Sequence, residues 1–288
     1  MKTIPVLLFA MIFTVCAIAE RPRPLDIKSA ARSALVKWEK AVVTVKVVAK
    51  MKTPRGDEET QLEVTGSVID PSGLTIVSAQ SIDPVGMVKA FLASVGRSTP
   101  PDQLKIESEI TQTTMILQDG SEVEAEVVLK DADLDCAFVR PSKSDQQFTY
   151  IPMKPGSKPL EMLEDLFVIR RMDRSANRAT AISLGTVQAV VKGPRTYFIT
   201  NQELAANSLG CMVFGADGEP KGIVVTKAKQ NTGDKGMSVL MSMMMGSGLG
   251  GGSVQVIRPL SDLLEDVAQA REAKIPQSAP TQSAPNQQ

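Results

Sequence analysis

Short apolar runs recur along this chain, each closed by a turn signal, and that rhythm constrains the fold more than any other feature. The runs are Val42–Val48, Leu62–Ile69, Leu74–Ser78, Thr113–Leu117, Val123–Leu129, Leu166–Arg170, Ser183–Val191, Thr196–Thr200, Cys211–Phe214, Gly222–Thr226, Ser238–Met243 and Val254–Ile257. Short strands at regular spacing build barrels or sandwiches, whereas a parallel sheet would need a helix between successive strands. The turns have specific chemistry. Asp70-Pro71-Ser72-Gly73 places Pro and Gly where a type I turn wants them. Asp119-Gly120 is a hairpin signal, because both residues tolerate positive φ. The polar stretch Thr53–Thr60, with Pro54 and Gly56, reads as a loop.

Helical spacing is confined to the flanks and one insertion. Leu25–Lys40 carries Ile27, Ala30, Ala31, Leu35 and Trp38 on one face. Ser261–Glu272 reads as a C-terminal helix, with Ser261 placed to cap it and Pro259 just outside. Gly86–Arg97 reads as an inserted helix, with Val88, Phe91, Leu92 and Val95 on one face. A second insertion, Gly233–Gly252, combines Met241, Met243, Met244 and Met245 with a glycine run. No Gly-Lys-Ser/Thr follows that run, so it reads as a flexible loop rather than a phosphate cradle. Pro276–Gln288 contains only Pro, Gln, Ser, Ala, Thr and Asn and is expected to be disordered.

The first residues read as an export signal. Lys2 supplies the charged start, Ile4–Ile18 is nearly unbroken apolar sequence, and Ala17-Ile18-Ala19 predicts cleavage before Glu20. An uncleaved anchor is the alternative. A lipoprotein reading through Cys16 is weaker, because the large Val15 precedes it. The expected destination is a bacterial periplasm or the cell exterior. Lys+Arg and Asp+Glu are equal at 32 each, which leaves no field to attract nucleic acid. With no histidine and three cysteines, one of them in the leader, a zinc or iron site is not expected, and no other cofactor is implied. Cys136 and Cys211 are expected to be buried thiols, a disulfide between them being the alternative.

Several segments then acquire meaning together. Gly66-Ser67-Val68-Ile69-Asp70-Pro71-Ser72-Gly73 and Ile76-Val77-Ser78-Ala79-Gln80 resemble the first-barrel strand pair of trypsin-like serine proteases of the HtrA/Deg branch. Asp131-Ala132-Asp133-Leu134-Asp135 resembles the stretch bearing the triad aspartate, and Leu184-Gly185-Thr186-Val187 resembles the family's G-I-V-S strand. Thr200–Gly210 resembles the nucleophile segment, and Asp217-Gly218-Glu219-Pro220-Lys221-Gly222-Ile223 the turn after it. The resemblance covers about Ala41–Arg271. It implies an all-β, trypsin-like double six-stranded β-barrel with an N-terminal and a C-terminal helix, and no PDZ domain. The implied organisation is a signal at 1–19, a helix at 20–40, barrels at 41–145 and 146–272 (the second with the C-terminal helix), and a tail at 273–288. On the same match Gln80, Asp135 and Ser208 take the triad positions, and Ala206, Asn207 and Ser208 those of the oxyanion hole.

The departures from that pattern carry the functional expectation. A serine hydroxyl is a weak nucleophile until a neighbouring base takes its proton, and histidine suits the task because it titrates near neutrality. Gln80 stands in the histidine position, and its amide cannot accept a proton at useful pH. Triad losses of about a millionfold in kcat correspond to roughly 8 kcal/mol of barrier lowering. Ala206 replaces a glycine of the oxyanion hole, Leu209 the glycine after the serine, and Cys211 a proline. The expectation is a pseudoprotease that binds an extended peptide, an unfolded or envelope protein, or a true protease, without cutting. The alternatives are a serine endopeptidase that uses Ser208 with another base, and a purely structural envelope protein. A membrane enters only if the leader stays attached.

Overall fold

A computed structural model describes residues 26–53, 56–86, 88, 107–143, 146–155, 158–205, 207–228 and 253–273. Residues 1–19, read as an export signal, the Gly233–Gly252 insertion with the expected Ser238–Met243 strand, and the Pro276–Gln288 tail lie outside the described residues. Of the Gly86–Arg97 insertion only Gly86 and Val88 are described, both helical.

Twelve strands form two closed antiparallel barrels, one in the order β1-β2-β3-β6-β5-β4 and the other β10-β11-β12-β9-β8-β7. The first contains β1 (Val42–Thr53), β2 (Gly56–Val68), β3 (Thr75–Ser78), β4 (Glu107–Ile116), β5 (Glu122–Asp131) and β6 (Cys136–Pro141). The second contains β7 (Asp165–Arg171), β8 (Thr180–Val191), β9 (Tyr197–Thr200), β10 (Met212–Gly215), β11 (Pro220–Ala228) and β12 (Ser253–Pro259). Read from its first strand, each barrel follows the same path: three strands in succession, then the sixth, fifth and fourth. This is the trypsin-like double-barrel architecture expected from the sequence.

Alternation explains how the halves join. In β1, Val43, Val45 and Val47 point inward and are fully buried. The second barrel is buried on both faces of several strands. Leu166 and Val168 of β7, Val213 of β10 and Val224 of β11 fill its interior. Their neighbours Phe167, Ile169, Met212, Phe214, Ile223 and Val225 join the core that extends from the first barrel. Phe167 stacks on Phe214 with ring centroids 5.2 Å apart. One apolar seam therefore holds the barrels together.

The terminal helices cross between the halves. The N-terminal helix is Ile27–Trp38, with Asp26 accepting the Lys28 N–H at its start. Just past its end, the Glu39 carbonyl accepts from Arg171 of β7, which also donates to the Val42 carbonyl. The C-terminal helix follows the second barrel in sequence yet packs on the first, where Arg140 of β6 donates to the carbonyls of Ala270, Arg271 and Ala273.

Two local expectations are corrected. Within the stretch Thr53–Thr60 the described residues are strand rather than loop: β1 runs to Thr53 and β2 starts at Gly56, with pairing down to Thr53↔Gly56. Its polar residues are tolerated because this end of the ribbon faces solvent, and Lys50 pairs with Asp57 at 2.9 Å. Ser261 is not a helix cap. A 3-10 turn, Leu260–Leu263, precedes the α-helix Leu264–Glu272, and no side chain caps either piece. Burial of Leu260 and Leu263 sets that entry instead.

Candidate functional site

The turn from β5 to β6 delivers Asp135. The Asp131 side chain accepts the N–H groups of Asp133 and Leu134, both at 2.8 Å, and folds the turn. Asp135 then adopts φ 54°, a left-handed conformation that aspartate tolerates better than most residues. Its carbonyl accepts the Ala79 N–H and its carboxylate reaches the end of β3.

That carboxylate is fully engaged. Oδ1 accepts from the Gln80 backbone N–H at 2.7 Å and the Ser78 hydroxyl at 3.1 Å. Oδ2 accepts from the Thr226 backbone N–H at 2.6 Å and from the same hydroxyl at 3.0 Å. Asp135 is buried, and burial pushes its carboxyl above the ordinary range, against the hydrogen bonds from Thr226, Gln80 and Ser78. Thr226 belongs to the second barrel and the other donors to the first, so this carboxylate is a polar clamp across the seam. Sequence reasoning missed Ser78 and Thr226. Ser78 had left a signal, since a hydroxyl at the end of the apolar run Ile76–Val77 needs a buried partner.

Gln80 and Asp135 therefore meet, but through the Gln80 main chain. Gln80 opens a one-turn 3-10 helix, Gln80–Ile82, and its side chain is half-buried.

Ser208 lies on the opposing loop, after the short helix Gln202–Ala205. Two residues on, Gly210 donates to the Val224 carbonyl of β11 at 2.8 Å and presses against β3. A Cβ on Gly210 would lie 2.6 Å from the Ser78 nitrogen, and its φ of +77° already favours glycine. The three sequence-selected segments thus converge on one end of the seam.

The serine is not presented as a nucleophile. It is 0% exposed, and among the described residues its Oγ has no hydrogen-bond partner, neither Gln80 nor Asp135. Its backbone N–H is donated to the Ala205 carbonyl at 3.2 Å, so it is not free to receive a developing oxyanion. Asn207 is exposed and Leu209 is half-buried against the second-barrel core. Ala206 lies outside the described residues. Cys136 and Cys211 are both free and buried. Burial pushes the Cys211 thiol up to about 12, and burial with Asp266 nearby pushes Cys136 up as well.

Beside this loop lies a cavity of about 420 Å³ between the barrels. Its wall includes Thr65 of β2, Ser81 next to Gln80, Arg170 of β7, Met172, and Asn207 and Leu209 on either side of Ser208. A strand edge leads toward it. The β10–β11 ladder stops at Met212↔Ile223, while β11 continues to Ala228 with β12 on its other side. Val224 turns its N–H and carbonyl toward the β10 side, bonding Cys211 and Gly210. With a period of two, Thr226 and Ala228 face the same way. Thr226 N–H is held by Asp135, which leaves the Thr226 carbonyl and both polar groups of Ala228 along an edge with no strand opposite among the described residues.

No family model matches this chain, and no curated protein matches it significantly. Among the described residues no group of His, Cys, Asp and Glu is placed to hold a metal ion.

Proposed function

We propose that this chain is an exported, catalytically silent protein of the trypsin-like, HtrA/Deg-like kind, and that it holds polypeptide in extended form without cleaving it. The state of Ser208 carries the reading: the hydroxyl is buried and unpartnered, its N–H is committed to Ala205, and glutamine occupies the position of the base. Each feature removes a separate requirement of acyl transfer: proton removal, access and oxyanion stabilisation. The Thr226–Ala228 edge supports the binding half. An added strand takes its affinity from main-chain hydrogen bonds, none of which needs a base. Export to a periplasm or to the exterior rests on the leader sequence, Lys2 to Ala19.

The test uses the chain from Glu20 and a pool of N-acetylated octapeptides of randomised sequence. Capture, with the captured peptides recovered at full length, is the expected result. Stoichiometric cleavage that disappears in Ser208→Ala overturns the silent site, and failure to capture any peptide overturns the binding reading.

A further inference from the structure

We propose that the cavity between the barrels receives the free C-terminal carboxylate of the bound polypeptide and that Arg170 holds it. This deepens the reading above and rests on it. Direction comes first. Strand β11 runs from its junction with β10 toward Ala228, so a peptide added antiparallel, as every other pair in these barrels is, runs from Ala228 back toward Thr226. Thr226 is bonded to Asp135, which also holds Gln80, and Ser81 lines the cavity. The C-terminal end of such a peptide therefore arrives at the cavity, and the N-terminal end lies along β11.

Charge comes second. The three other charged side chains on the cavity wall are already engaged. Glu63 takes a bidentate pair from Arg178 at 2.6 and 2.9 Å. Arg171 donates to the carbonyls of Glu39 and Val42 and to the Thr180 hydroxyl. Asp173 accepts from Ser175 and Ala176 and caps the 3-10 turn Arg174–Ala176. Arg170 differs: among the described residues it makes no ion pair, and its contact to a side chain is a long 3.5 Å bond to the Ser183 hydroxyl. A guanidinium presents donors in a fork that matches a carboxylate bidentately. Asn207 and Ser81 add neutral polar residues to the same cavity wall. The committed occupant is a chain end rather than an acidic side chain, because the antiparallel direction brings the C-terminal end of the peptide to this cavity.

Two octapeptide pools of the same randomised sequence, N-acetylated, are offered to the chain from Glu20. One ends in a free carboxylate and the other in an amide, and capture is quantified by mass spectrometry. The acid pool is expected to be retained at least about tenfold better, the scale of one charge-assisted bond. Arg170→Gln is expected to lower retention of the acid pool to that of the amide pool, which itself stays unchanged. Arg170→Lys is expected to keep part of the preference. Equal retention of both pools by the unaltered chain overturns this inference and leaves the binding reading standing. So does a preference that survives Arg170→Gln, or enrichment of internal Asp and Glu without regard to the chain end. Retention of neither pool overturns both.

Discussion

Replacing Asp135 by alanine tests whether this residue acts as a clamp. Its carboxylate satisfies three buried donors: the N–H groups of Gln80 and Thr226 and the Ser78 hydroxyl. Each donor left without an acceptor costs about 1–3 kcal/mol. The hydroxyl can rotate toward another acceptor, but the Gln80 amide is held by its 3-10 turn and the Thr226 amide by β11, which gives a gross loss of about 2–6 kcal/mol. Relief of the carboxylate's desolvation offsets part of this, for a net of about 2–4 kcal/mol. Urea unfolding followed by tryptophan fluorescence reads the change, Trp38 being the one tryptophan. At a slope near 2 kcal/mol per molar, the midpoint is expected to fall by about 1–2 M with the slope unchanged. Gln80→Ala is the internal control. Because the Gln80 main chain makes the bond to Asp135, that change is expected to cost under about 1 kcal/mol. If Gln80→Ala costs as much as Asp135→Ala, the amide side chain holds the carboxylate and the clamp argument fails. A cost below about 1 kcal/mol for Asp135→Ala refutes it as well.

Ser208→Ala is expected to leave stability equal or raise it by up to about 1 kcal/mol, because it removes a buried hydroxyl without a partner; the urea midpoint checks this. A fluorophosphonate probe is expected to leave Ser208 unlabelled in the native chain and equally in Gln80→His, since a restored imidazole does not expose the hydroxyl; intact mass reads the adduct. Gly210→Ala is expected to cost more than about 2 kcal/mol, because its Cβ would meet the backbone of Ser78 and the residue has φ +77°; thermal unfolding measures the loss. Cys211, with its thiol pushed up to about 12, stays protonated in the folded chain while an unfolded thiol ionises near 9.0. The folded state then binds more protons between these values, so stability falls as pH rises from 9.0 toward 12, and Cys211→Ala is expected to flatten that fall in urea titrations across this range.

The barrels were legible because their signal is local and repeated. Alternation in Val42–Val48 and the turn residues at Asp70–Gly73 and Asp119–Gly120 each specify backbone without reference to the rest of the chain. The Thr53–Thr60 reading failed for the opposite reason: its polar residues sit in a paired ribbon that faces solvent, where pairing rather than burial decides the conformation. Residue order identified Gln80, Asp135 and Ser208 as neighbours, and their segments do converge. What each contributes was hidden. Whether Gln80 offers its side chain or its main chain to Asp135 depends on a 3-10 turn. The inward placement of Ser208 depends on how Gly210 seats against β3. Arg170 was missed altogether, since an arginine ending an apolar strand reads as an ordinary solvated charge until its neighbours are seen to be occupied elsewhere.

The placement of the last helix has a consequence for synthesis. Strand β6 ends at Pro141, but the carbonyls that receive the Arg140 guanidinium belong to Ala270, Arg271 and Ala273. A nascent chain that has already threaded its first barrel must wait for more than a hundred further residues before that wall is covered. During this interval an apolar surface is open on the growing polypeptide. The first barrel is therefore covered only after the second has been made, and a chain truncated before Leu264 loses that cover.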